Sequence, residues 1–371
     1  MARGLDRTPA PLRTTERFVH GVNYPWSTDG RTIFYGLDFG ANIWGSHLGV
    51  STRRDAVARD FDDVARLGFV VARWFVFCDG RSGIAYDNRG LPAGLDDRFF
   101  MDVDAALEIA RDVDVRIDFV LLDHHWLFRG IHHTLADPVT GDLLEVRLPA
   151  GRADILLTQE GHDALFDYVI EPLVRRYGDD GERGDLRHQI FAFEFMNEPD
   201  FVIDEWERDR SPRVTRALPF AALAAGISRL SEVVHAYSPA LVTLGGARAD
   251  NLWAWDAHAL GLDVLQLHAY PDEGHARDID PFSTPARGLD VQRDVILGEF
   301  RSTAPLDDSL ERALAGGYAG AWPWSFSGTD KYGRLDLEAL RRFGRRHPEL
   351  VNPRFAAGSE SSNPQQQTRE P

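Results

Sequence analysis

The chain has 371 residues, 43% of them hydrophobic and including 9 Trp and 22 Phe, enough for a large core. Its 41 basic and 58 acidic residues leave a formal charge of -17, a field that repels nucleic acid and anionic membrane and suits a neutral substrate. A single cysteine, Cys78, excludes an internal disulfide and any multi-thiolate metal site.

Residues 1–17 are polar and rich in Pro and Arg, and read as a loose N-terminal arm. They hold no apolar stretch of signal-peptide length, and no segment approaches the roughly 18 apolar residues of a membrane span. The expected location is cytoplasmic, unless an export signal has been trimmed away.

From residue 18 onward, apolar strand-like runs alternate with amphipathic helical ones. The strand runs are "FVHGVNYPW" (18–26), "FVVARWFVF" (69–77), "VRIDFVLLDHHW" (115–126) and "QIFAFEFMNEP" (189–199), then "ALVTLGG" (240–246), "LDVLQLHAYP" (262–271), "DVILGEF" (294–300) and "YAGAWPWSF" (318–326). Helical patterns cover 52–67, 97–112, 162–177, 219–237, 306–315 and 335–345, with the fifth and sixth helices of the series short or irregular. Eight strand-then-helix units predict one α/β domain over 18–355, a (β/α)8 barrel. A doubly wound sheet is the alternative, but no Gly-rich phosphate loop follows the first strand. The end, 356–371, reads as a disordered tail. Long connections over 27–50, 78–96, 127–160 and 272–290 are expected at the barrel mouth, where such loops are usually functional.

A barrel gathers its active groups at the C-terminal ends of its strands. Polar residues sit there: Asn23, Arg73, His124, His125, Asn197, Glu198, His268, Tyr270 and Glu299, with Trp324 beside them. Glu198 ends strand four and Glu299 strand seven, so a closed barrel brings both to one rim. Glycoside hydrolysis uses such a pair: one carboxyl protonates the leaving oxygen, and the other attacks the anomeric carbon or activates water. Glu194, four residues before Glu198, shares its inward face one layer deeper and reads as a structural partner for a barrel cation, with Arg73 the first candidate.

"FEFMNEP", "LHAYP", "LGEF" and "WSFSG" resemble the strand ends of clan A glycoside hydrolases, most of all glycoside hydrolase family 5, over residues 18 to about 345. The resemblance implies retention, with Glu198 as acid/base and Glu299 as nucleophile. It implies that Asn197 binds the sugar 2-hydroxyl, that Arg73 and Tyr270 hold Glu299, and that His268 lies near Glu198 or the sugar. It places His125 against the sugar and Trp324 under it, with Trp322 competing for that platform. His124 is expected on the opposite face of a regular strand. Arg73 is expected to lower the pKa of Glu299, while Glu198 stays protonated.

Trp26 and Trp44 are candidates for outer subsites or for loop packing. No cofactor or metal is expected, since adjacent histidines (124–125 and 132–133) point to opposite sides of a strand. A metal-dependent barrel isomerase and a non-catalytic sugar-binding barrel remain as alternatives. The long loops suggest a pocket for chain ends or short oligosaccharides, with the sugar itself left open.

Overall fold

The eight apolar runs become the eight strands of a closed parallel barrel in a computed structural model of the chain. They are β1 (Val19–Asn23), β2 (Val71–Phe75), β3 (Arg116–Asp123), β4 (Ile190–Asn197), β5 (Leu241–Gly246), β6 (Leu265–Ala269), β7 (Val295–Arg301) and β8 (Gly320–Trp324). Each pairs with its sequence neighbours, and β8 closes on β1 through Val19 beside Gly320. The structure describes residues 18–356, apart from 29–32, 129–131, 137–139, 142, 148–151, 215, 271–278, 303–304, 329–331 and 333. The arm, and the tail beyond residue 356, lie outside the described residues.

Helices pack on the outside because their apolar residues recur at helical spacing. In α1 (Arg54–Arg66) the buried face is Val57, Phe61, Val64 and Ala65, and burying each large side chain of this kind stabilises by about 1.5–3 kcal/mol. α2 spans Phe99–Asp112, α3 runs over 159–176 with a π turn at Phe166–Ile170, and α4 spans Phe220–Tyr237. The short α5 (Leu252–Trp255) follows β5, and only a 3-10 turn, Ala286–Gly288, stands between β6 and β7 among the described residues. α6 (Leu306–Ala315) and α7 (Leu337–Arg346) complete the ring, α7 capped by Asp336, which accepts from the Ala339 amide at 3.0 Å. Two antiparallel hairpins, Ile84–Tyr86 with Pro92–Leu95 and His132–Ala136 with Leu143–Arg147, stand inside connections that read as plain loops in the sequence.

The barrel interior is layered. At the bottom Val19, Val71, Phe191, Ile296 and Trp322 form an apolar plug. Trp322 fits because Gly21 has no side chain; a Cβ there would lie 2.5 Å from the indole nitrogen. That nitrogen donates to the Val19 carbonyl at 3.1 Å, so Trp322 is core and not a sugar platform. Above it lies a polar layer of Arg73, Asp118, Glu194 and Gln266, all buried. The strand ends open above that layer.

Several strands end two or three residues before the runs read for them, and at β3 the cause is local. β3 stops at Asp123, and His124–Leu127 is a 3-10 turn. Asp123 accepts from the His125 amide at 2.8 Å and so caps the turn, a local bond that competes with continuing the strand.

Candidate active site

Arg73 organises the strand ends. Its five N–H donors are all used: Nε and Nη2 grip Glu194 at 2.7 and 2.6 Å, and Nη2 also reaches the Asn197 amide oxygen at 2.8 Å. Nη1 reaches Glu299 at 2.5 Å and the Asn23 oxygen at 3.0 Å. Burial works against its charge, but Glu194, Glu299 and Asp118 outweigh that and keep Arg73 protonated. Glu194 thus meets the cation read for it, in a bidentate fork that suits guanidinium and carboxylate alike.

Glu299 leaves β7 between two donors, Arg73 and the Tyr270 hydroxyl, which donates at 2.9 Å. Glu198 follows the end of β4 in a left-handed conformation, φ 48° and ψ 49°. A non-glycine residue there costs about 1–3 kcal/mol, and such strain gathers at functional sites. The Glu198 amide is held by the Gly245 carbonyl at 2.8 Å, which fixes the turn. His268 on β6 stands between the two acids, its Nδ1 3.3 Å from Glu198 and 3.6 Å from Glu299. Oxygens of Glu198 and Glu299 and the His268 nitrogen lie within 4.8 Å of one another. Burial pushes the His268 pKa down to about 4, so the ring is neutral at neutral pH.

Burial also raises the pKa of both glutamates above the ordinary carboxyl value. The expectation that Arg73 would pull Glu299 below that range is therefore corrected. Desolvation of Glu299 is the larger effect, and Arg73 divides its charge with Glu194. The two acids still differ. Glu299 accepts from Arg73 and Tyr270, whereas among the described residues the Glu198 carboxyl is met by His268 at 3.3 Å and, more distantly, by His124 at 3.8 Å. In a close pair the first proton leaves the carboxylate with the stronger hydrogen-bond donors and the second stays on its neighbour. Glu299 is the one these donors favour as the anion.

Asn197 is pinned from both ends, accepting from Arg73 and donating to Asp123 at 2.8 Å. Asp123 went unremarked in the sequence. Burial would raise its carboxyl, but His124, His125 and the His125 hydrogen bonds hold it well below the usual range. The ring of His125 contacts Asp123 and meets the Tyr35 hydroxyl at 2.9 Å through the same Nδ1. His124 is corrected too: the 3-10 turn swings it to the pocket side, with Nδ1 3.8 Å from Glu198. His132 and His133 fall in a hairpin strand whose side chains lie outside what the structure describes.

Asp123, His124, His125, Asn197, Glu198, Tyr270 and Glu299 line a cavity of about 350 Å³ together with Trp26, Tyr35, Phe75, Phe201, Arg248, Trp324 and Tyr332, while Arg73 and His268 are not among its lining residues. Its size suits a small organic ligand. Trp324 is 9% exposed and stands edge-on to Trp26 (5.9 Å) and Phe75 (6.4 Å). Trp44 is not among the lining residues. A cavity of about 550 Å³ at the opposite end of the barrel, beside Phe18 and Phe191, brings none of these strand-end groups together. The residues that sequence reasoning missed are Asp123, Tyr35 and Arg248. Only Asp123 carried a signal, as an acid directly before the paired histidines.

A scan against models of known protein families finds no match. The chain is similar to the mannan endo-1,4-beta-mannosidase of Mytilus edulis, 21% identical over 342 residues that cover 83% of each chain. The structure of the blue mussel β-mannanase superposes with a TM-score of 0.66 at 18% identity, over 92% of this chain and 94% of that one. The β-1,4-mannanase of the sea hare Aplysia kurodai gives 0.67 at 16% identity, over 91% and 95%. The exo-beta-1,4-mannosidase Op5Man5 from Opitutaceae bacterium strain TAV5 gives 0.56 at 16% identity, over 90% of this chain and 60% of that one. The (β/α)8 barrel is thus the fold of this chain, and the resemblance to glycoside hydrolases read from its strand ends is met by similarity to named mannanases over 83% or more of its length.

Proposed function

We propose that this chain is a retaining β-glycoside hydrolase acting on β-mannosidic bonds, with Glu198 as acid/base and Glu299 as nucleophile. One observation carries the reading: two carboxyl groups whose oxygens lie within 4.8 Å face one pocket from β4 and β7. An approach this close favours the roughly 5–5.5 Å spacing of retaining enzymes over the about 6.5–9.5 Å of an inverting pair. The mannoside preference is supported by the named activities of the similar proteins.

The chemistry follows from the donors. Glu299, ionised between Arg73 and Tyr270, attacks the anomeric carbon as the bond to the leaving oxygen breaks and Glu198 delivers its proton to that oxygen. With Glu299 now an ester, one negative charge has left the pair and the Glu198 carboxylate is easier to form. It takes a proton from water, the water oxygen attacks the anomeric carbon, and Glu299 is released. Asn197, fixed by Arg73 and Asp123, would bind the sugar 2-hydroxyl, while Trp324 would meet the ring's C–H groups. His125 faces the sugar's other hydroxyls.

The test is a panel of aryl β-mannoside, β-glucoside and β-galactoside, with and without chelator. β-Mannoside is expected to be cleaved, chelator to change nothing, and Glu299→Gln to abolish turnover. Glu198→Ala is expected to lose about 10²–10⁴-fold on poor leaving groups, to keep attack on activated ones, and to yield β-azide when azide is supplied. A requirement for metal, or activity that survives Glu299→Gln, would sink the proposal.

A further inference from the structure

The pocket differs from one side to the other. On the β4–β5 side, where Glu198 gives its proton to the leaving group, the lining is Phe201, Ala247 and Arg248. On the opposite side Trp26, Tyr35, Phe75, Trp324, Tyr270 and Tyr332 pack into one connected aromatic cluster.

Hydrogen bonds lead from the reacting bond to that cluster. Asn197, next to Glu198, donates to Asp123; Asp123 holds the amide and ring of His125; and the His125 ring meets the Tyr35 hydroxyl at 2.9 Å. This row of polar groups is the edge along which the hydroxyls of one bound sugar ring would lie, starting at the 2-hydroxyl beside Asn197. Tyr35 stands at its far end. It bridges the connection after β1 to the turn after β3, and its ring meets Trp26 edge-on at 5.0 Å.

Tyr35 is also braced from behind. The Arg81 guanidinium lies 5.4 Å over its ring and is itself held by Asp79 at 2.7 Å. The next residue, Gly36, has φ 67° and sits against Cys78, whose Cβ lies 3.3 Å from the position a Gly36 side chain would take. These contacts brace the ring against displacement by a ligand.

In a β-1,4-linked chain the preceding sugar hangs on the 4-oxygen of the ring being cleaved off, at the far end of that edge. We propose that Tyr35 closes the glycone side after one sugar, so that the enzyme removes single residues from the non-reducing end of short β-mannosides. The inference rests on the mannoside reading above. It takes a substrate class different from the internal bonds that the name of the mussel relative states.

The experiment follows mannopentaose labelled at its reducing end and resolves the first products by mass. The expected pattern is unlabelled mannose with labelled tetraose, then labelled triose. Tyr35→Phe keeps the ring and is expected to keep that pattern. Tyr35→Gly removes the wall, and the ratio of mannose to mannobiose is expected to fall at least about tenfold as a second sugar site opens. Unlabelled mannobiose or mannotriose among the first wild-type products overturns the proposal, as does a Tyr35→Gly pattern identical to wild type. If Tyr35→Gly does not fold, the wild-type pattern alone decides. Failure to cleave any β-mannoside, including the aryl glycoside, overturns the parent reading and the inference with it.

Discussion

Arg73 shows what one side chain must do when a barrel buries charge. Its fork satisfies two oxygens of Glu194, one of Glu299 and two amide oxygens, and no other residue type presents five donors in one plane. Lysine would keep the charge but supply three donors, leaving acceptors unmatched at about 1–3 kcal/mol each. Arg73→Lys is therefore expected to lower the unfolding temperature and to cut kcat about a hundredfold or more, the usual effect of losing one preorganised donor. Thermal unfolding and aryl-mannoside kinetics check both; a variant with wild-type kcat would show that Arg73 does not hold Glu299. The arginine was legible in the sequence as the lone charge in an otherwise apolar run, although it stands in the middle of β2 and not at its end. Its effect on Glu299 was not, because the pKa depends on desolvation, and burial is decided by elements far away in the chain.

At the scale of an element, the polar layer exists because neighbouring strands withdraw. A Cβ on Gly245 of β5 would lie 2.5 Å from Glu194 Oε1 and 2.9 Å from the His268 ring. Gly298 of β7 likewise makes room for Gln266, 2.3 Å from its side-chain oxygen. Gly245→Ala is expected to displace His268 and Glu194 together. Since the conflict is with the site and not with a helix face, kcat should fall more than stability. A kcat within twofold of wild type would show that the strand adjusts without moving the site. The helices were the most legible elements, because a 3.6-residue period survives without tertiary contacts. The turn after β3 was not, since a local Asp123 bond ends the strand while the apolar pattern runs on to Trp126.

For the whole molecule, the layer beneath the site carries a proton as well as an ion pair. Asp118 receives one bond from Gln266 at 3.0 Å, and its other oxygen meets no donor among the described residues. Burial, and then the charge of Glu194, push its carboxyl well above the ordinary value. The folded chain then keeps a proton on Asp118 that the unfolded chain releases. The sign follows: this residue's contribution is fully present below the unfolded pKa near 4 and declines as pH rises toward the folded value, by about 1.4 kcal/mol per pH unit for one proton. Asp118→Asn holds the neutral form permanently. Its stability relative to wild type is expected to rise from pH 5 to pH 8, measured by urea unfolding at each pH. A difference independent of pH would mean that Asp118 is ionised in the folded protein.

The sequence by itself determined the barrel, the strands that end at its mouth and the pair of glutamates on β4 and β7. Alternating strand and helix patterns specify a parallel sheet, and a strand's end is marked wherever apolar residues give way to polar ones. Tertiary structure alone decided that Trp322 plugs the bottom while Trp324 lines the pocket, that His124 and His125 share one side, and that Tyr35 reaches His125 across 90 residues. These outcomes turn on one missing side chain at Gly21, one capped turn at Asp123 and one loop laid over the rim. The first and last are contacts between segments distant in sequence, which neither periodicity nor composition records, and the second is a local side-chain bond that the apolar pattern runs past.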